Sequence, residues 1–329
     1  MRLRVLNATD LQRALPMAEA IQAMKTAFAL FSSGQADVPL RTRLDVPDRG
    51  GATLFMPALV APTGDLAVKV VSVFPGNASR GLPTLHALVV ALDPASGAPL
   101  ALIEGASLTA LRTGAASGAA SDLLARPESA TLAIFGSGVQ ARTQVLALCA
   151  VRRIHEIRIF SLDPAGADRM RGELAQQAGV EASVRVAASP EDAVSGADVV
   201  CTATTSVTPV FPDAALAPGV HINAIGAFTP EMQEIDAATV ARARIFVDSK
   251  RAALAEAGDL IQPLRAGRIS EASIVGEIGE VAAGTRPGRT SADEITLFKS
   301  VGLAVQDAVA AGRAVRNAQN LGLGQVIDL

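Results

Sequence analysis

A short apolar strand, Leu132 to Phe135, runs straight into Gly136-Ser137-Gly138-Val139-Gln140-Ala141. An apolar helical pattern follows through Val145, Leu146 and Leu148. This G-x-G-x-x-A turn, with a strand before it and a helix after it, constrains the fold more than any other segment. Gly136 permits a tight strand-to-helix turn, Gly138 lets the backbone approach a pyrophosphate, and small Ala141 lets helix and sheet pack closely. A pyrophosphate would then lie on the uncapped N–H groups and positive dipole end of the helix. Gly136, Ser137, Gly138, Val139 and Gln140 are therefore candidate dinucleotide contacts. The competing reading is an ordinary βα turn that needs glycines.

The rest of the chain supports a parallel α/β fold around that turn. After a helical pattern from Thr109 to Leu124, strands and helices alternate: Glu156–Phe160, a helix over 165–178, Val184–Val186, Val199–Thr202, His221–Ile225 and Ile245–Val247. That alternation predicts a Rossmann-type, doubly wound parallel sheet. Ahead of it lies a different texture. An amphipathic helix over 15–34, stopped by Gly34, precedes short β-rich runs at Ala52–Met56, Leu66–Phe74, Leu85–Leu92 and Leu100–Glu104, separated by turn residues. Those runs read as an antiparallel sheet. The tail from 291 to 320 reads as helical, with Ile295, Phe298, Val301, Leu303 and Val305 on one face.

The expected organisation is an N-terminal α+β substrate-binding and dimerisation domain over 1–115, rejoined by a C-terminal helix within 308–329. A Rossmann domain spans 116–307. At 329 residues, two domains of roughly 150 residues each accord with this division. A substrate is expected in the cleft between the domains, facing the nicotinamide.

Half of the residues are hydrophobic, and the formal net charge is −3 with no basic block. Neither nucleic acid nor a membrane surface is an expected partner. No run of about 18 apolar residues occurs, and the N-terminal segment has no cleavage-site pattern. A cytoplasmic protein is expected, with Cys149 and Cys201 as buried free thiols. No HExxH, CxxC or acidic calcium loop is present, so no metal is expected.

Basic residues isolated in apolar strands are costly to bury unless they meet an anion. Lys69 lies inside LAVKVVSVF, Arg112 is the only charge between Glu104 and Asp122, and Arg41 follows Pro39. The three can converge on a substrate carboxylate, and an arginine can do so bidentately. The alternative is local pairing at the surface, which for Arg41 would involve the neighbouring Arg43 and Asp45. Thr84 and His86 share a strand face. His155 and His221 lack evident partners. Asp248, Glu256 and Asp259, in VDSKRAALAEAGDL, are expected either to line the cleft or to serve as solvated helix caps.

These residues, in this order, resemble the ornithine cyclodeaminase/mu-crystallin family along nearly the whole chain. The likeness rests on P-x-R at Arg41, the MP turn at Met56-Pro57, VKVV around Lys69 and the stretch GLPTLHALVVALDPASGAPLALIEGASLTALRTGAAS. It continues in GSGVQA, VVCTATTS, INAIGAFTPEMQEID, VDSKRAA with AGDL, and GRTSADEITLFKSVGLAVQD. The resemblance implies a homodimer formed through the β domain. It also implies carboxylate binding by Arg41, Lys69 and Arg112, and cofactor contacts at the glycine loop, Thr84, Thr113 and Thr202.

The family holds cyclodeaminases, alanine dehydrogenases, cyclic imino-acid reductases and a thyroid-hormone-binding crystallin, and two departures separate them. Cyclodeaminases carry an Asp where this chain has Phe228, and a Glu in the strand before the MP turn, where it reads Thr53-Leu54-Phe55. Expelling ammonia and closing a ring requires a carboxylate to shuttle protons. Reducing a preformed cyclic imine needs only a clamped carboxylate, hydride at carbon and a proton for nitrogen, from Lys69 or a bound water. Phe228 suits a small apolar ring. The expected activity is therefore reduction of Δ1-pyrroline-2-carboxylate to L-proline. The alternatives are alanine dehydrogenase, then ornithine cyclodeaminase or a non-catalytic ligand-binding protein. Ser161 stands where NAD enzymes usually hold a ribose carboxylate, with Asp163 two residues on and Arg169 beyond, which leaves both NAD and NADP open.

Overall fold

The computed structural model describes residues 2–329. The chain divides into two compact units, one built from the residues through Arg112 together with Leu303–Leu329, the other from Thr113–Gly302. In chain order the elements are β1 (Arg2–Leu6), α1 (Ala8–Ala14), α2 (Met17–Ser32), β2 (Ala36–Asp37), β3 (Thr42–Val46), β4 (Gly51–Val60), β5 (Asp65–Val73), β6 (Leu85–Leu92), β7 (Pro99–Glu104) and α3 (Gly105–Leu124). Next come β8 (Thr131–Phe135), α4 (Val139–Val151), β9 (Glu156–Phe160), α5 (Pro164–Leu174), β10 (Ser183–Val186), α6 (Pro190–Val194), β11 (Val199–Thr202), β12 (His221–Ala224) and α7 (Ala237–Arg242). The chain continues through β13 (Arg244–Val247), α8 (Lys250–Glu256), α9 (Gly258–Arg265), β14 (Ile274–Glu277), α10 (Ile278–Ala282), β15 (Thr296–Lys299), α11 (Ala304–Leu321) and β16 (Gln325–Asp328).

In the first unit the strands form one sheet, ordered β16-β1-β7-β6-β5-β4-β2, with β3 also on β4. Strands β3 to β7 pair antiparallel, as their alternating pattern predicts, but β1 joins β7 in parallel. Alternation gives the sheet two distinct faces. Ala67, Lys69 and Val71 of β5, with Val89 of β6, point to the buried side, where α11 packs on β4 and β5. The opposite side carries Phe55, Val68, Val70, Leu88 and Val90 at half-buried or exposed positions. Met56-Pro57 is not a turn. It lies inside the continuous strand β4, paired on one side with Lys69 and Val68. On its other side β3 pairs only as far as Phe55 and β2 begins at Leu59, so the proline's missing N–H falls in a gap in the ladder.

The second unit is an eight-stranded parallel sheet of order β10-β9-β8-β11-β12-β15-β13-β14. Connections from β8 run outward to β9 and β10, whereas β11 lies on the other side of β8. The strand order therefore reverses beside the glycine turn, which is where ligands bind open α/β sheets. The strands are short and almost wholly buried, as expected of a sheet covered on both faces. The tail is not one helix. Thr296–Lys299 is a strand inserted between β12 and β13, and the helix begins only at Ala304. Among the described residues no helix is long and apolar enough to cross a membrane.

Candidate active site

In the first unit the chain brings two of the predicted cations together on a group that the sequence reading had not singled out. Lys69 projects from the buried face of β5, and Arg112 comes from α3. Both meet Asp307, in the first turn of α11. The Lys69 Nζ lies 2.6 Å from Asp307 Oδ2, and Arg112 Nε donates to Asp307 Oδ1 at 3.1 Å. The three side chains are 2 %, 8 % and 1 % exposed. Arg112 Nη1 also donates to the Gln306 side-chain carbonyl, which accepts the Leu303 N–H as well. Arg112 Nη2 makes no hydrogen bond among the described residues. The pairing is local to the first unit, but it is buried rather than at the surface. Burial pulls the Lys69 ammonium down from 10.5 to about 8. Asp307 opposes that fall, while the charges of Arg112 and Arg41 reinforce it. Asp45, the local partner considered for Arg41, pairs with Arg43 in an exposed contact of 2.8 Å. Thr84 and His86 are exposed at the start of β6.

In the second unit the glycine turn takes the form its spacing predicts. Gly136 has φ +103°, and a Cβ there would lie 2.6 Å from the Ala203 carbonyl oxygen, so both backbone and space demand glycine. A Cβ on Gly138 would meet nothing within 4 Å. Nothing in the chain itself requires glycine at 138, whereas a closely approaching phosphate does. No side chain caps the N-terminus of α4, and Val139 beside it is exposed. Ala141 is fully buried. These features fit a dinucleotide pyrophosphate. At the end of β9 the Ser161 hydroxyl lies 3.1 Å from that of Ser137 and accepts the Asp163 N–H. The exposed Asp163 carboxylate meets Arg169 at 3.5 Å. Thr113 is buried in α3.

Thr202, at the end of β11, is tied into a second buried polar network. Its hydroxyl donates to Glu234, which also accepts from the Thr204 N–H and hydroxyl and from the N–H groups of Gly226 and Ala227. Asp259 accepts the N–H groups of Glu234 and Ile235 and holds Lys299 at 2.9 Å, with both side chains fully buried. Burial and the neighbouring Asp259 raise the Glu234 pKa, and Lys299 opposes them. Phe228, half exposed, follows the Gly226–Ala227 segment that Glu234 anchors.

Several expectations need correction. Asp248 and Asp259 are fully buried, not solvated. Asp248 is buried and accepts from Ser300, Val301 and Gly302, which closes the loop after β15. His221 has partners, since its ring nitrogens meet Thr296 at 2.9 Å and Asn223 at 3.2 Å. Burial, with Arg289 nearby, drops its pKa to about 3, so it is neutral at ordinary pH and carries no proton chemistry. Cys201 is buried, as expected, but Cys149 only partly. Burial pushes their thiols up to about 12 and about 11, which makes them inert as nucleophiles.

The chain belongs to the ornithine cyclodeaminase/mu-crystallin family, whose model matches residues 2–321, as the sequence resemblance implied. Within it, a Δ1-pyrroline-2-carboxylate reductase of Bacillus cereus is 38% identical over 98% of this chain and 99% of its own. The solved Δ1-pyrroline-2-carboxylate reductase of Thermococcus litoralis, in complex with NADH and L-proline, superposes with a TM-score of 0.94 at 40% identity, covering 98% of this chain and 99% of that one. An archaeal alanine dehydrogenase dimer with bound NAD gives 0.92 at 34% identity over the full length of both chains.

Proposed function

We propose that this chain is an NAD(P)H-dependent reductase that converts Δ1-pyrroline-2-carboxylate to L-proline. One observation carries the reading beyond family membership. Two buried cations, Lys69 and Arg112, share a single carboxylate, which leaves a positive charge and an open guanidinium nitrogen for an acidic substrate. Relatives of nearly equal length with this activity support the assignment. So do the absence of a carboxylate at Phe228 and among Thr53-Leu54-Phe55, where a cyclodeaminase needs its proton carriers.

In this reading Arg41, Lys69 and Arg112 hold the substrate carboxylate. Phe228 lies against the ring, and Lys69 gives the proton to the imine nitrogen. Gly136, Ser137, Gly138, Val139 and Gln140, with Thr84, Thr113, Thr202, Ser161 and Asp163, would hold the reduced nicotinamide dinucleotide, which would supply the hydride. The cations that clamp the carboxylate draw electron density from the C=N, and Lys69 supplies the one proton its nitrogen needs, so the chain needs no second acid. The half-exposed Leu88, with Phe55, Val68, Val70 and Val90 around it, is where a second copy of the chain docks to form a homodimer. Activity belongs in the cytoplasm, in keeping with two unpaired cysteines.

The deciding experiment follows NADH and NADPH oxidation with pyrroline-2-carboxylate, piperideine-2-carboxylate, and pyruvate plus ammonia, beside ornithine with NAD. Turnover should be fastest with the five-membered imine, and ornithine slower by about 10²–10⁴-fold for want of an acid–base group. Ornithine turnover at a comparable rate would refute the reading of Phe228. No turnover of any imino or keto acid would leave only a binding protein. Light scattering tests the dimer, and a monomer at micromolar concentration would remove it.

A further inference from the structure

Asp307 bridges two cations from separate elements with separate oxygens. Its Oδ2 takes Lys69 from β5, and its Oδ1 takes the Nε edge of Arg112 from α3. That choice of edge matters. With Nε on Asp307 and Nη1 on Gln306, the planar guanidinium is locked, and only Nη2 keeps both hydrogens for another partner. Lys69 meets Asp307 as an ion pair and has no other ion-pair partner among the described residues.

We propose that Asp307 is the positioning residue of the clamp: it orients Arg112 for the substrate carboxylate and keeps Lys69 charged, so that Lys69 can protonate the substrate nitrogen. The proposal rests on the reductase reading above.

The electrostatics make the carboxylate necessary. Lys69 faces Asp307 from α11, Arg112 from α3 and Arg41 from the segment before β3, while its neighbours across β4 and β6 are apolar Met56 and Val89. Burial and two like charges all favour the neutral amine, and Asp307 alone opposes them. The chemical step needs the charged form. As the hydride that a bound reduced nicotinamide would give up from its C–H bond, being oxidised in turn, bonds to the imine carbon, the C=N π pair moves to nitrogen. The nitrogen bonds to a proton of Lys69 Nζ, whose N–H bond breaks and leaves a neutral amine. Solvent then returns the proton. Asp307 exchanges no proton in this sequence and touches no reacting atom.

The test compares Asp307→Asn, Asp307→Glu and Lys69→Gln in the full-length enzyme, using kcat and kcat/KM for pyrroline-2-carboxylate against pH, with NADH binding measured in parallel. For the wild type, kcat should fall above about pH 8 as Lys69 loses its proton. In Asp307→Asn that fall should begin about one pH unit lower or more. KM should rise as well, because Arg112 loses its anchor, with NADH binding unchanged. Asp307→Glu keeps the charge but displaces it, so the fall should stay near its wild-type pH while kcat drops. If Asp307→Asn does not fold, the Glu variant decides, and unchanged kcat and KM there would overturn the proposal. An unmoved pH profile in a folded Asp307→Asn enzyme would overturn it too. Lys69→Gln separates this from the parent reading. It should lose about a hundredfold in kcat, and a fully active Lys69→Gln enzyme would remove Lys69 as the acid and the proposal with it.

Discussion

The protein buries two charged networks, one in each unit, and they are balanced in opposite directions. Around Asp307, two cations share one carboxylate, and Arg41 adds its positive field. Around Lys299, two carboxylates, Asp259 and Glu234, accompany one cation. The second network is nevertheless closed. Glu234 accepts five hydrogen bonds, three of them from backbone N–H groups, and Asp259 accepts two more besides its lysine. The first network is open, since among the described residues Arg112 Nη2 makes no hydrogen bond and neither the Lys69 nor the Arg112 side chain donates to a backbone carbonyl. A buried charge that the chain satisfies internally fastens loops. A buried charge left unmatched raises the free energy of the empty protein and lowers it again when an anion arrives.

If that contrast is right, mutations in the two networks should separate stability from activity. The largest expected effect is on folding. Lys299→Met leaves Asp259 buried without its cation, which typically costs about 3–5 kcal/mol. The urea midpoint should fall accordingly, and a shift within about 1 kcal/mol would show that the network is not closed in the way described. Next comes Arg112→Ala, which leaves Asp307 still paired with Lys69. Removing a buried, hydrogen-bonded partner of the substrate should cost about 2–5 kcal/mol of binding. We expect kcat/KM to fall at least a hundredfold, with NADH binding kept and the urea midpoint moving less than in Lys299→Met. Wild-type kcat/KM would take Arg112 out of the clamp.

The difference between the networks also marks how far the sequence could be read. The glycine turn, β9 and β11 were legible because each is set by local pattern, and β9 and β11 match the expected bounds at both ends. Lys69 and Arg112 were legible because a lone charge in an apolar run demands an explanation. The same argument reaches Asp307, since Gln306-Asp307 interrupts the apolar stretch AVQDAVAA, but was not applied there. The strand Thr296–Lys299 was invisible for a different reason. Its four residues are apolar enough for helix or strand, and only its pairing with β12 and β13, distant in sequence, decides between them. Glu234, Asp248 and Asp259 look like surface carboxylates by type, and their burial is satisfied by backbone N–H groups, hydroxyls and Lys299 that the fold delivers to them.

A smaller effect distinguishes the networks by pH. Lys69 has its pKa lowered by the fold from 10.5 to about 8. Between those values the unfolded chain holds a proton that the folded protein has released, so stability should rise with pH across that window. Below about pH 8 both states are protonated and the cost of burying the charge is present in full. Lys69→Met should flatten the rise in a series of urea melts. A wild-type stability that is already level across this range would place Lys69 in a better-matched environment than the geometry describes.

The smallest expected effect extends the criterion of unmatched groups to the end of β9. There the Ser161 hydroxyl is shared with Ser137, and the Asp163 carboxylate lies more than half exposed, with Arg169 at 3.5 Å as its partner. The Asp163–Arg169 pair is exposed, so this edge of the dinucleotide turn retains an acceptor for ribose hydroxyls and a cation for a 2′-phosphate. Ser161→Asp adds a second carboxylate at the strand end. It should accept both ribose hydroxyls and repel a 2′-phosphate, shifting the ratio of NADH to NADPH efficiency toward NADH by about tenfold, or roughly 1.4 kcal/mol. Because the residue is only half-buried and shares no partner with either buried network, kcat with NADH and the urea midpoint should stay near wild type. A ratio that does not move would mean that the ribose is bound elsewhere, and that unmatched polar groups at this strand end, unlike those around Asp307, are simply solvated.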